Sequence, residues 1–333
     1  MKFLKNPAIS FSALMILGIV LDFGFNAYIQ LTVLFVLVNC MMAMSLNLVN
    51  GYTGQFSLGH AGFMAIGAYF SAYASLNFPV LPGVLSILSF TIYAFIGGGL
   101  AALFGYIVGL PSLRLKGDYL AIVTLGFGEI IRVALQNLNF LGGARGISGI
   151  PSLPEIRLGG FVLDRFFVSY SFAIFWCLLC FFVIWRLMKS SHGRSFLSVR
   201  EDEIAAEAMG INTTKTKVRA FVLSSFFAGV AGAMFAHFTN YISPSSFTFL
   251  MSVNAIIMVV LGGMGSMSGS VCAALFITIL PEALRSLKDF TGVDLRMVIY
   301  SLSLILVMLL RPQGMFGEEE ITDLWRRYVK RSS

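Results

Sequence analysis

A chain of 333 residues that is 57% hydrophobic and 12% charged, with mean hydropathy +0.85, is far from the roughly 25% charged residues of a soluble domain. It reads as an integral membrane protein with several spanning helices, and no polar stretch is long enough for a separate globular domain. The net charge of +7 is not read as nucleic-acid binding, because Lys and Arg collect on the cytoplasmic side of membrane proteins.

A span needs about 20 apolar residues, and about ten candidates follow one another: 9–27, 28–48, 58–77, 84–109, 118–137, 166–188, 218–239, 249–262, 269–286 and 295–310. The first has Lys2 and Lys5 ahead of the apolar run Phe11–Leu21, like a signal peptide. No small-residue cleavage site follows, so it is read as an uncleaved span. Asp22, which lacks a local partner, Gly24 and Asn26 separate it from the second. Spans two and three are joined by a glycine-rich break, Gly51-Tyr-Thr-Gly-Gln-Phe-Ser-Leu-Gly-His60. Span five carries Glu129 and Arg132 at i, i+3, which can meet on one helix face. Span six holds Cys177 and Cys180 within a continuous apolar run, where redox or metal chemistry is not expected. Span eight is short enough for a broken or half-spanning helix. It leads into a second break, Gly262-Gly-Met-Gly-Ser-Met-Ser-Gly269. Span nine ends with Pro281, a candidate kink, and with Glu282 and Arg285, again at i, i+3.

Ten spans place both ends on one side. With the N-terminus inside, 16 of the Lys and Arg residues fall on cytoplasmic segments and 7 on external ones, which favours N-in, C-in. The expected organisation is a transmembrane bundle over 1–317, with a cytoplasmic loop at 189–218 and a tail at 318–333 lying along the membrane surface.

That loop interrupts the apolar sequence with charge from Lys189 to Arg219. Ser198 followed by Glu201 predicts a capping box, and Glu201, Asp202 and Glu203 then fall in a first turn, where the helix dipole favours anions. Ile204, Ala205, Ala208 and Met209 form a small apolar face, with Gly210 placed as a C-terminal cap. A compact helix of this kind outside a membrane is suited to docking into a groove on another protein.

The breaks have two readings: tight turns whose glycines permit close helix packing, or irregular backbone lining a pathway. The pathway candidates are Gly51, Gly54, Ser57, Gly59 and His60 in the first, and Gly262, Gly263 and Gly265 in the second. His60 is read first as a packed, hydrogen-bonded imidazole and second as a solute contact. Glu129 and Arg132 are either a structural ion pair or a gating element, since intramembrane charge is costly. There is no phosphate-binding loop, nucleophile elbow or His/Cys metal spacing. The chain is therefore read as non-catalytic and needing no cofactor; if it moves a solute uphill, the energy comes from a partner or an ion gradient.

The stretches at 113–132 (LRLKGDYLAIVTLGFGEIIR), 142–151 (GGARGISGIP), 50–69 and 261–275 closely resemble the high-affinity branched-chain amino acid ABC permeases, the M-type (LivM-like) subunit more than the H-type. The resemblance runs from about residue 35 to 317. It implies an importer in a bacterial or archaeal cytoplasmic membrane. Its parts would be a second, H-type permease, two cytoplasmic ABC ATPases and an external substrate-binding protein, with no nucleic acid. It also implies a coupling motif of Glu-Ala-Ala, three residues, then Gly. Ala205, Ala206 and Gly210 match, whereas Ile204 stands in the Glu position with Glu203 one residue earlier. Coupling to the ATPases would then rest on Ser198, Glu201, Glu203, Ala205, Ala206 and Gly210. The family's Thr before the external glycine pair is Leu141 here. Other readings are a urea or short-amide permease and a stand-alone secondary carrier, the latter favoured by the glycine-broken helices.

Overall fold

The computed structural model describes residues 26–78, 80, 81, 83, 85–112, 118–158, 161–285, 296–311, 313–317 and 320. The expected first span, with Asp22, lies outside these residues up to 25, as does the Arg-rich tail beyond 320.

The described chain is helical throughout its apolar stretches: α1 (Ala27–Asn50), α2 (His60–Asn77), α3 (Leu85–Ser112), α4 (Asp118–Asn137), α5 (Arg165–Met188), α6 (Ser191–Glu201), α7 (Glu203–Ala208), α8 (Thr213–Thr239), α9 (Phe249–Gly262), α10 (Met267–Ala283) and α11 (Arg296–Leu310). Six described helical stretches are long and apolar enough to cross a membrane: α1, α3, α4 from Tyr119, α5, α8 and Pro244–Gly262, which ends in α9. The protein is an all-α membrane protein. Each expected span from 28–48 onward falls on a helix, but the charged loop is shorter than expected, since α8 begins at Thr213. Asn212 caps it, Oδ1 accepting from the Lys215 N–H at 2.8 Å, so Lys217 and Arg219 are already helical.

The core forms around α8, which packs against α3, α2 and α1. Small residues set the spacing. A methyl at Gly232 would stand 1.9 Å from the Met64 carbonyl oxygen, and one at Gly67 would stand 2.0 Å from that of Gly229. With no hydrophobic force between helices in lipid, such close backbone contact supplies the dispersion that holds them. In contrast, α3 and α4 present Ile92, Phe95, Leu103, Ile107, Ile122 and Ile130 outward, as a surface facing lipid or another membrane chain must.

One end of the bundle is closed by irregular chain. Strand β1 (Ile147–Ser148) pairs antiparallel with β4 (Tyr241–Ile242), and β2 (Ile156–Leu158) with β3 (Phe161–Leu163). Leu141 lies there in a 3-10 turn, Asn139–Leu141. The other end carries both glycine breaks, α6 and α7.

Candidate functional site

The two breaks meet. Asn47, buried in the last turn of α1, clasps the second break with both ends of its amide. Nδ2 donates to the Ser266 carbonyl at 2.9 Å, and Oδ1 accepts from the Gly265 N–H at 3.0 Å. Gly51 makes the approach possible, since a methyl there would stand 2.4 Å from the Gly265 nitrogen. Arg200, in the last turn of α6, touches both breaks. Its Cγ lies 3.2 Å from where a methyl at Gly54 would stand, and its Nη1 lies 2.9 Å from one at Gly265. Both glycines have positive φ, +67° and +93°, where a side chain would be strained.

The chain after α11 fastens the second break. Met315 N–H donates to the Leu261 carbonyl at 2.7 Å, and Phe316 N–H to that of Gly262 at 3.2 Å. A methyl at Gly262 would meet the Gly269 carbonyl at 2.5 Å, and one at Gly263 the Gly317 oxygen at 2.2 Å. Glu320 then caps α10, its carboxylate accepting from the N–H groups of Met267 and Ser268 at 2.8 and 3.1 Å, where the helix dipole favours an anion. It also accepts from the Tyr52 hydroxyl at 3.3 Å. Burial, reinforced by the Glu320 charge, raises the Tyr52 pKa and keeps that phenol protonated.

Next along the first break, Leu58 and Gly59 face α4. A methyl at Gly59 would stand 2.2 Å from the Thr124 carbonyl oxygen, and Leu58 N–H donates to Thr124 Oγ1 at 3.0 Å. His60 is buried with Nε2 2.8 Å from Ser45 Oγ, the packed imidazole of the first reading. Glu129 and Arg132 form the expected i, i+3 pair, Nε to Oε2 at 2.6 Å, both partly exposed. Glu129 borders a crevice of about 10 Å³ with Leu58, Ala61, Gly62 and Ser252, room for roughly one water. Far from these, Glu282 and Arg285 converge on Tyr28. Its hydroxyl donates to Glu282, and the guanidinium stands 4.6 Å from the ring centroid.

The capping expected at Ser198 is corrected. Ser198 lies inside α6 with Oγ bonded to the Arg194 carbonyl at 2.9 Å, and Glu201 ends that helix. Phe196 and Val199 are buried, so packing carries the helix through the S-x-x-E pattern. Asp202 is extended instead (φ −154°) and caps α7, accepting from the Ile204 and Ala205 N–H groups at 2.8 and 3.0 Å. The segment is thus two helices hinged at Asp202. Glu203 in the first turn of α7 binds Lys217 Nζ on α8 at 2.7 Å. Ala206 is buried, while Ala205 and Ala208 are exposed and Ile204 and Met209 are 72% and 83% exposed. Gly210, at φ +81°, ends the unit with nothing within 4 Å of an added methyl.

Residues 27–309 match the family profile described as the permease component of branched-chain amino acid transport systems. The chain belongs to that family. Among relatives of the branched-chain permease family, the high-affinity branched-chain amino acid transport system permease protein LivM of Escherichia coli K12 is 38% identical over 297 residues, covering 83% of this chain and 67% of that protein. The probable LivM of Methanocaldococcus jannaschii is 26% identical, covering 84% and 91%. The LivH permease protein of E. coli K12 is 25% identical, covering 84% and 92%. No solved structure matches.

Asn47, Arg200 and Glu320 were not among the sequence candidates, because their contacts join segments far apart in the chain. Asn50 and Gln55 were also missed, although one amide beside a glycine break and another within it, inside apolar sequence, were a readable signal. Asn50 Nδ2, both ends of the Gln55 amide and Ser57 Oγ are buried without a hydrogen-bond partner, each at a cost of about 1–3 kcal/mol.

Proposed function

We propose that this chain is the M-type permease subunit of an ATP-driven importer for branched-chain amino acids. It forms the membrane pathway with a second, H-type permease. The bundle has about ten spans with both termini inside, and the end bearing the two breaks, α6 and α7 faces the cytoplasm. ATPase subunits dock on the exposed Ile204, Ala205, Ala208 and Met209, and an external binding protein delivers solute to the opposite end.

The observation carrying this reading is Arg200. Its helix leads directly through Asp202 into the docking unit, while its side chain rests on both glycine breaks. A push on α7 reaches α8 through the Glu203–Lys217 pair, and reaches the irregular backbone through Asp202, α6 and the Arg200 side chain. A stand-alone carrier has no use for an apolar knob held outside the bundle.

Gentle-detergent purification of the tagged chain with mass spectrometry should recover a second permease and P-loop ATPases. Gly210→Trp should insert normally and abolish leucine uptake. A chain recovered only with itself, from a preparation that preserves other such complexes, or normal uptake by well-expressed Gly210→Trp, would overturn the reading.

A further inference from the structure

The first break and the end of α1 turn polar side chains inward, and four of their N and O atoms have no partner among the described residues. Residues 54–59 form no helix, and their side chains alternate in direction as extended chain requires: Gly54 and Phe56 are exposed, Gln55 and Ser57 buried at 5% and 1%. Asn50 joins them from the end of α1, 6% exposed, its Oδ1 accepting from the Ser57 N–H at 3.2 Å. Asn50 Nδ2, Gln55 Oε1 and Nε2, and Ser57 Oγ are all unpartnered. Neighbouring polar groups are not. Thr53 Oγ1 donates to the Val49 carbonyl at 2.7 Å, Asn47 uses both ends of its amide, and Ser45 meets His60. Among the described residues, four of the six buried side-chain N and O atoms without a partner thus lie in this one segment, the other two being Tyr69 Oη and Trp176 Nε1, and such groups in native proteins call for an explanation.

Their chemistry is specific. Two amide nitrogens offer donors suited to a carboxylate, and the Gln55 carbonyl and Ser57 hydroxyl offer acceptors suited to an ammonium group. None carries a charge, so a zwitterion can be held without being trapped, as conduction demands. We propose that Asn50, Gln55 and Ser57 form a hydrogen-bonding station for the zwitterionic backbone of the transported amino acid, closed in this conformation and opened when the break moves. The inference rests on the permease reading above. Arg200 over Gly54, and Gly51 against Gly265, are the contacts that keep it closed.

Apolar replacement of an orphaned group relieves desolvation in the closed state, whereas replacing a structural hydrogen bond destabilises. Gln55→Met and Ser57→Ala should therefore leave the unfolding temperature of the assembled complex equal to wild type or higher. Leucine uptake into proteoliposomes should fall about tenfold or more for Gln55→Met, the effect of losing one hydrogen bond to a charged group, with Gln55→Asn partly restoring it. Full uptake by both variants, or a lowered unfolding temperature in both, would overturn the station while leaving the permease reading intact. A wild-type complex with its ATPases and binding protein that imports no leucine would overturn both.

Discussion

At Gly232 an added methyl would stand 1.9 Å from the Met64 carbonyl oxygen, while at Gly99 on the exposed side of α3 it meets nothing within 4 Å. Both glycines sit in helices, where Ala is intrinsically better by about 0.5–1 kcal/mol. Gly99→Ala should therefore hold or slightly raise the thermal unfolding temperature in detergent. Gly232→Ala should lower it, because the carbonyl facing it is backbone and overpacking costs about 1–3 kcal/mol. Equal behaviour of the two variants would mean that α2 and α8 are not in backbone contact. This distinction is invisible in the sequence, where both are glycines in apolar runs. The Glu129–Arg132 pair, by contrast, was legible, because its spacing alone brings the side chains together.

At the scale of elements, α7 has six residues, too few to hold its shape by propensity alone. The Asp202 cap and the Glu203–Lys217 pair tether it. Asp202→Ala removes a cap worth about 1 kcal/mol. It should speed hydrogen exchange across 203–209 and reduce stimulation of the ATPases by substrate-loaded binding protein, without loss of insertion. Unchanged exchange would show that packing, not the cap, forms α7. Helix positions were largely readable, since hydropathy marks the apolar stretches and Gly or Asn marks several ends. The hinge was not. Both Ser198 and Asp202 offer acceptors at a helix start, and the choice was made by Phe196 and Val199 burying against the bundle, a tertiary fact.

Across the whole molecule, Glu320 joins the two breaks, through Met267 and Ser268 on one side and Tyr52 on the other. Glu320→Ala leaves two helix N-terminal N–H groups without their anion. Measured by protease cleavage within 262–269, it should loosen the second break, with stability lowered by about 1–2 kcal/mol. Cleavage no faster than in wild type would show that the segment 311–317 holds the break unaided. The Asn47 clasp has a consequence for biosynthesis. Its partners Gly265 and Ser266 lie 218 and 219 residues further along the chain. At ribosomal speeds the amide waits roughly 10–40 s after its own synthesis before they exist. Until then it is a costly polar group in a newly inserted helix. The point where the two breaks close on each other thus also registers that translation and insertion have passed the second break.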